Sequence, residues 1–315
     1  MKITIVAFDI WGFNKLIVDQ LKNKGHEVTF INSHDIKYVY KNKNERIKNF
    51  FLKTFFKKNI KRDFLNKELI DRAKNLSPQD CILVVNPFYF RNILGILKTK
   101  TTNLIAYNYD SLEKVPLPNN YETLFSRTFS FDTIDVKKKP HLSFLPNYIY
   151  LDKDINKTPK NKVFMILSDS IEREEILNKI AFLLDKKAIK NFEFIVLKPS
   201  LKKHHPNTKI ISKGIGLNEV IAQMKNSEIL IDLIRDNQTG LSFRIFEAMA
   251  LHKKLITNNQ TIKDYDFYNP NNILIIDQDT ISIPDTFLNS EYEPLNEQIY
   301  QKYTLENWIK TVFNI

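Results

Sequence analysis

The sequence predicts an α/β protein built from two doubly wound domains, each a parallel sheet with helices on its faces. Three observations carry that expectation. Short apolar runs of strand length alternate with segments of helical period, the pattern of βαβ units with right-handed crossovers. The alternation halts over the polar stretch "LDKDINKTPKN" at 151–161 and then restarts. A chain of 315 residues fits two domains of ordinary size.

The elements follow in order. "ITIVAF" (3–8) reads as a first strand ending near Gly12, and "FNKLIVDQLKNKG" as a helix with Leu16, Ile17 and Leu21 on one face and Gly25 as its stop. "EVTFIN" (27–32), "CILVVN" (81–86), "TNLIAYN" (102–108), "LFSRTFSFD" (124–132) and "HLSFLPN" (141–147) read as further strands, and "PFYFRNILGILKT" as a helix between two of them. After the linker come strands at 162–168, 192–198, 208–212, 227–234, 253–257 and 272–277. Helices are expected at "SIEREEILNKIAFLLDKK", 217–226 and 241–251, with an amphipathic helix at 303–313. The expected domains are 1–152 and 160–296, with 297–315 a closing helical segment that returns to the first domain. "GIG" at 214–216 lacks a third glycine and reads as a turn; neither half carries a G-x-G-x-x-G dinucleotide fingerprint.

The net charge is +11. Nucleic acid, an anionic membrane surface and a phosphorylated small molecule all suit it, and so does a compositional bias towards Lys with no selected partner. A single cysteine, Cys81, excludes an intramolecular disulfide framework and a Cys-rich zinc site. The first apolar run meets Asp9 at once, which reads as a strand and not a signal peptide. No apolar run reaches the roughly 20 residues of a membrane span. The expectation is a cytoplasmic protein. Residues 37–62, "KYVYKNKNERIKNFFLKTFFKKNIKR", are basic and rich in Phe. Such a helix lies on an anionic bilayer, or else buries Phe50, Phe51 and Phe55 in its own domain; projected as one helix, Lys58 falls on the Ile47/Phe51 side, which favours the second reading.

The chemistry gathers in "DNQTGLSFRIFEAMALHKKLITNNQ" at 236–260. A strand ends near Ile234, a loop follows, and Gly240 opens a helix. Backbone N–H groups at a helix start favour an anion, glycine allows close approach, and Thr239 and Ser242 add hydroxyls. Arg244 and Glu247, three apart, share a helix face, while Ile245, Phe246 and Met249 point to the core. An arginine bridges phosphate oxygens and a carboxylate accepts from two vicinal hydroxyls. The competing reading is a solvated ion pair of small consequence.

"TGLSFRIFEAMALHKKLITNN" with "YNPNNILIID" resembles the donor-domain signature of GT-B glycosyltransferases, as found in lipopolysaccharide and capsular polysaccharide assembly. "YNYDSLEKVP" and "FSFDTIDVKKKPHLSFLPNYIY" resemble first-domain segments of the same group. The resemblance implies GT-B architecture, two Rossmann-like domains facing across a cleft. It also implies a nucleotide-sugar donor, no required cofactor, and a glycan or lipid-linked acceptor. It implies that Glu247 contacts the donor ribose, that Thr239, Gly240 and Ser242 meet the diphosphate, and that Arg173 reaches the pyrophosphate. Thr239 stands where the family's usual "E-x7-E" spacing places an earlier glutamate, which leaves retention or inversion open.

A general base, where the stereochemical course needs one, is expected from the first domain, from Asp110, Asp9 or His141, with Gly12 and Asn86 lining the acceptor side. Each of the three also reads structurally, as an Asx turn, a turn Asp and a surface His. Asp110 comes first because it follows a strand with Asn108 and Ser111 beside it. "DYD" at 264–266 reads as a loop and not a metal motif, and "HHP" at 204–206 lacks a third ligand. The rival functions are an epimerase or phosphorylase-like enzyme on the same architecture, and a basic polyanion- or membrane-binding protein without catalysis. Nucleic acid is not expected as the partner.

Overall fold

The computed structural model describes residues 1–154, 158–168, 170–235 and 238–315. The middle of the expected linker, 155–157, and two loop positions of the signature, 236–237, lie outside the described residues. The chain divides into two compact units, Met1–Leu145 with Ile309–Ile315, and Pro146–Trp308.

In the first unit the elements are β1 (Lys2–Ala7), α1 (Phe13–Asn23), β2 (Glu27–Asn32), α2 (Lys43–Phe56), α3 (Ile60–Lys74), β3 (Cys81–Val85), α4 (Leu94–Lys98), β4 (Leu104–Asn108), α5 (Tyr121–Leu124), β5 (Arg127–Ser130), α6 (Thr133–Lys138) and β6 (Leu142–Phe144). Among the described residues the strands form a six-stranded sheet in the order β2-β1-β3-β4-β5-β6. Each pairing is parallel. The strands β3 and β4 are buried along their whole length, which is why they read as unbroken apolar runs rather than alternating ones.

The second unit contains β7 (Asn161–Ser168), α7 (Ile171–Lys186), β8 (Phe192–Leu197), β9 (Thr208–Ile211), α8 (Leu217–Lys225), β10 (Ser227–Asp232), α9 (Phe243–Ala250), β11 (Lys254–Thr257), β12 (Ile273–Ile275), α10 (Asp285–Asn289), α11 (Glu297–Lys302) and the start of α12 (Leu305–Phe313). Its described strands form a second parallel sheet, in the order β12-β11-β10-β7-β8-β9. Alternate residues supply two cores. Phe164, Ile195, Leu230 and Leu255 pack on one face with Ile245, Phe246 and Met249 of α9. Val163, Met165, Phe194 and Ile231 pack on the other with Ile176, Leu177 and Ile180 of α7.

In each sheet the strand order reverses once, between β1 and β3 in the first unit and between β7 and β10 in the second. Ligands of open α/β sheets bind outside the carboxyl ends of the strands at such a switch point. The loops that matter are therefore those after Ala7 and Val85, and those after Ser168 and Asp232.

Several expected elements differ. "PFYFRNILGILKT" is not one helix: Asn86 is left-handed (φ 49°), Pro87–Phe90 form a 3-10 turn, and only Leu94–Lys98 is α-helical. The strand expected at 124–132 is shortened because Tyr121–Leu124 is helical. The segment 37–62 is also not one helix. Lys57 adopts a left-handed conformation (φ 53°) and ends α2, and the Asn59 side chain caps α3. Lys58 therefore does not continue the face of Ile47 and Phe51. Residues 146–152, read as the end of the first domain, group with the second unit: Asn147 Nδ2 donates to the Leu241 carbonyl (2.9 Å) and Ile149 bridges Thr304. At the far end of α12, Arg127 donates to the carbonyls of Thr311 (3.1 Å) and Val312 (2.5 Å), satisfying carbonyls a helix C-terminus leaves open.

Candidate functional site

The second unit gathers polar groups at its switch point. Asp232 closes β10, and its Oδ1 accepts from Ser242 Oγ at 2.7 Å. Ser242 caps α9 by accepting from the Arg244 backbone N–H (3.1 Å). Burial pushes the Asp232 carboxyl up, against the pull of the Ser242 hydrogen bond and of Arg244 and Arg173. Its Oδ2 is buried with no hydrogen-bond partner among the described residues.

Arg173 lies in the first turn of α7, and its guanidinium donates to the Ser168 carbonyl at the end of β7 (2.6 Å). Burial, and next the charge of Arg235, holds Arg173 below its ordinary value. Its Nε is buried with no hydrogen-bond partner among the described residues. Arg173 is thus half-buried at the end of β7, while Arg235, shortly after β10, is exposed.

The Arg244–Glu247 pair is not a solvated surface pair. The two groups approach to 3.0 Å, and their side chains are 15% and 5% exposed. Arg244 also contacts Met224 Sδ and lies over the Phe164 ring. The Tyr150 hydroxyl donates to Glu247 Oε1, and Phe243 meets Tyr150 edge-on. Burial, then the Glu247 charge, raises the Tyr150 phenol above its ordinary value. A carboxylate offers about four acceptor positions. Tyr150 and Arg244 occupy two and fix its orientation.

The loop before α9 is held by its carbonyls. Thr239 O accepts from Asn259 Nδ2 (3.1 Å) and Thr261 Oγ1 (2.8 Å). Gly240 is buried beside it. Asn258, following β11, accepts from the Ile234 N–H at 2.8 Å, and its buried Nδ2 has no partner among the described residues. Arg173, Thr239, Gly240, Ser242, Arg244 and Glu247 therefore stand around the carboxyl ends of adjacent strands in this unit, joined by Tyr150, Asp232, Arg235 and Asn258.

In the first unit Asp9 follows β1 and accepts from the backbone N–H groups of Gly12 (2.8 Å) and Lys15 (2.9 Å). It anchors the start of α1. Gly12 has φ 86°, a conformation that favours glycine. Asn86 and Asp110 meet: Asn86 Nδ2 donates to Asp110 Oδ2 (3.0 Å), and Lys114 pairs with Oδ1 (2.6 Å). Asn108, completely buried at the end of β4, has neither amide atom hydrogen-bonded among the described residues. His141 precedes β6, at the amino end of a parallel strand, and is not brought to the edge that holds Asp9, Asn86 and Asp110. Phe8, Ile10, Trp11 and Tyr89 are exposed in the loops after β1 and β3.

The sites set aside by the sequence have structural partners. His204 meets Glu174 and His205 meets Asp185, each at 2.9 Å. Asp266 of "DYD" accepts from Tyr303 (2.7 Å) and pairs with Lys302 (2.5 Å).

No known family model and no curated protein matches the sequence. Solved structures do match its fold. An α,α-trehalose-phosphate synthase (UDP-forming) from Burkholderia xenovorans, in complex with glucose-6-phosphate, is 12% identical, with a TM-score of 0.59 over 100% of this chain and 99% of that one. An α,α-trehalose-phosphate synthase (UDP-forming) from Burkholderia vietnamiensis is 11% identical, with a TM-score of 0.57 and 100% coverage of both chains. An α-glucosyltransferase in complex with UDP is 14% identical, with a TM-score of 0.54 over 99% of this chain and 95% of that one. The chain has the GT-B fold. These GT-B neighbours are glycosyltransferases, and the likeness to them is one of fold.

Within this GT-B chain, sequence reasoning missed Tyr150, Asp232, Asn258, Trp11 and Tyr89. Asp232 had a local signal, a carboxylate in the apolar run "SEILIDLI". Tyr150 had none, because it meets a partner 97 residues away.

Proposed function

We propose that the protein transfers a sugar from a nucleotide-sugar, held by the second unit, to a glycan or lipid-linked acceptor met by the first, on the cytoplasmic side of the cell envelope. The observation that carries the donor assignment is the place of Arg173 at the end of β7, where its guanidinium meets the Ser168 carbonyl and its Nε is buried and unpartnered among the described residues. A buried guanidinium N–H without a partner lowers its free energy by meeting an anion.

In this reading the diphosphate lies against Arg173 and the start of α9, where Thr239, Gly240 and Ser242 stand. The ribose hydroxyls take the acceptor positions left on Glu247. As the glycosidic bond breaks, charge develops on the departing diphosphate, and the prepositioned guanidinium stabilises it. The reading requires no metal or cofactor. In the first unit, Trp11 and Tyr89 offer apolar faces to a sugar ring. Asp110, oriented by Asn86, takes the proton of the attacking hydroxyl. The resemblance of "TGLSFRIFEAMALHKKLITNN" to polysaccharide-assembly enzymes supports the envelope context.

The test is a thermal-shift series with nucleoside diphosphates and nucleotide-sugars, beginning with UDP and UDP-sugars. A ligand at about 100 times its Kd stabilises by about 2.7 kcal/mol. In a domain of this size that raises Tm by roughly 5–10 °C. Glu247→Ala is expected to abolish the shift with nucleotide-sugars while leaving polyanion binding in place. No shift with any nucleotide would remove the donor assignment.

A further inference from the structure

We propose that α2 docks the protein on an anionic lipid surface. The helix is inside out. At about 100° per residue, Phe50, Ile47, Phe51 and Phe55 fall in one arc of roughly 140°. In an ordinary surface helix that arc would face the protein core. Here Phe50 is 65% and Phe55 70% exposed, with Ile47 and Phe51 also more than half exposed. Phe51 and Phe55 stack on one another in the open.

The side turned to the protein is polar instead. Asn49, on the opposite side of the helix, is its one buried residue among those described. Asn49 Nδ2 donates to the Tyr40 hydroxyl (2.7 Å), and its Oδ1 accepts from the Ile60 N–H (2.8 Å). Glu45, the acidic residue of the segment, is tied to the Tyr38 hydroxyl (2.6 Å) and the Lys41 N–H (2.7 Å). Polar bonds hold the helix down while Phe50, Phe51 and Phe55 point away.

Charge selects the occupant. Residues 37–62 contain ten Lys and Arg against one Glu, so this segment carries most of the chain's net +11. Lys48 lies beside one border of the apolar arc and Arg46 and Lys53 near the other, all exposed. Aromatic side chains at the depth of the acyl boundary, ringed by cations at the level of the phosphates, match a bilayer containing acidic lipids. A nucleic acid would use the cations and leave the phenylalanines wet; a protein partner would leave most of the charge unpaired. No described helix is long and apolar enough to cross a membrane, so the contact is peripheral.

The proposal does not depend on the transfer reaction, and its test needs no nucleotide. The full chain is sedimented with vesicles of phosphatidylcholine, and with vesicles of phosphatidylcholine mixed with phosphatidylglycerol. Binding is expected on the mixed vesicles, with weakening in high salt. Phe50→Ser/Phe51→Ser/Phe55→Ser is expected to lower the partition coefficient by roughly 100-fold or more. These side chains are exposed, so the circular dichroism and Tm of the variant should match the parent. Lys57→Gln/Lys58→Gln/Lys61→Gln is expected to lower binding roughly 10- to 100-fold on the mixed vesicles and little on neutral ones. Equal partitioning of parent and serine variant would overturn the proposal. So would binding to an RNA or DNA oligonucleotide without vesicle binding, or a dimer that dissociates in the serine variant while vesicles stay bare. UDP-dependent thermal shifts, measured without vesicles, report separately on the donor site.

Discussion

Replacing Arg173 with methionine separates a ligand-binding arginine from a structural one. Methionine keeps much of the side-chain length and removes the charge. In the free protein the change loses the hydrogen bond to the Ser168 carbonyl (2.6 Å). Such a bond contributes about 0.5–1.5 kcal/mol. It also removes a buried, unpartnered Nε and the repulsion from Arg235. These effects oppose one another, so Arg173→Met is expected to unfold in urea within about 1 kcal/mol of the parent. Nucleotide binding should respond differently. A charge-assisted contact to phosphate contributes about 1.5–3 kcal/mol. At 1.4 kcal/mol per decade, the Kd for the nucleoside diphosphate should rise roughly 10- to 150-fold. Titration calorimetry against the best diphosphate from the thermal-shift series measures it, and repetition in high salt should shrink the difference. An unchanged Kd would refute the reasoning, and a large loss of stability with unchanged Kd would make Arg173 a packing residue.

Two further predictions concern the fold. The Glu174 carboxylate is completely buried; burial raises it, but hydrogen bonds from the Ser200 and Leu201 N–H groups and from His204 outweigh that and hold it below the ordinary range. A depressed carboxyl contributes stability that is fully present above its unfolded value, about 4.3, and lost as pH falls through the lower folded value. Glu174→Gln should therefore lower the urea midpoint at pH 7, with the gap narrowing below about pH 4; a gap constant with pH would contradict this. Gly12 has φ 86°, and a Cβ added there would meet nothing within 4 Å, so Gly12→Ala meets only backbone strain. It should cost about 1–2 kcal/mol by chemical denaturation, and a neutral result would mean the loop after β1 relaxes.

The elements legible in sequence were those whose pattern is complete within a few residues. β3 and β4 are buried runs, β10 is one from Ile229 onward, and α7 repeats its core positions Ile176, Leu177, Ile180 and Leu184 at helical spacing. Less legible were segments governed by a single backbone conformation. Left-handed Lys57 splits a segment that reads as one continuous helix, and left-handed Asn86 turns the chain from β3 into a 3-10 turn where a helix start is expected, because propensity averages over a window while a single φ value redirects the chain. At the site, "TGLSFRIFEAMA" marked α9 and its polar residues. Its partner Tyr150 came from across the expected domain boundary.

By itself the sequence determined two parallel α/β units, the helix that carries Glu247, and the concentration of positive charge at 37–62, since composition and short-range periodicity encode these. Only the tertiary structure decided that Glu247 is clasped between Tyr150 and Arg244, that Arg173 meets the Ser168 carbonyl with its Nε buried, and that Phe50, Phe51 and Phe55 of α2 face outward. The physical reason is that burial and pairing belong to contacts between residues far apart in the chain. A helical projection gives the relative angles of side chains, but the neighbouring elements decide which of those angles faces water.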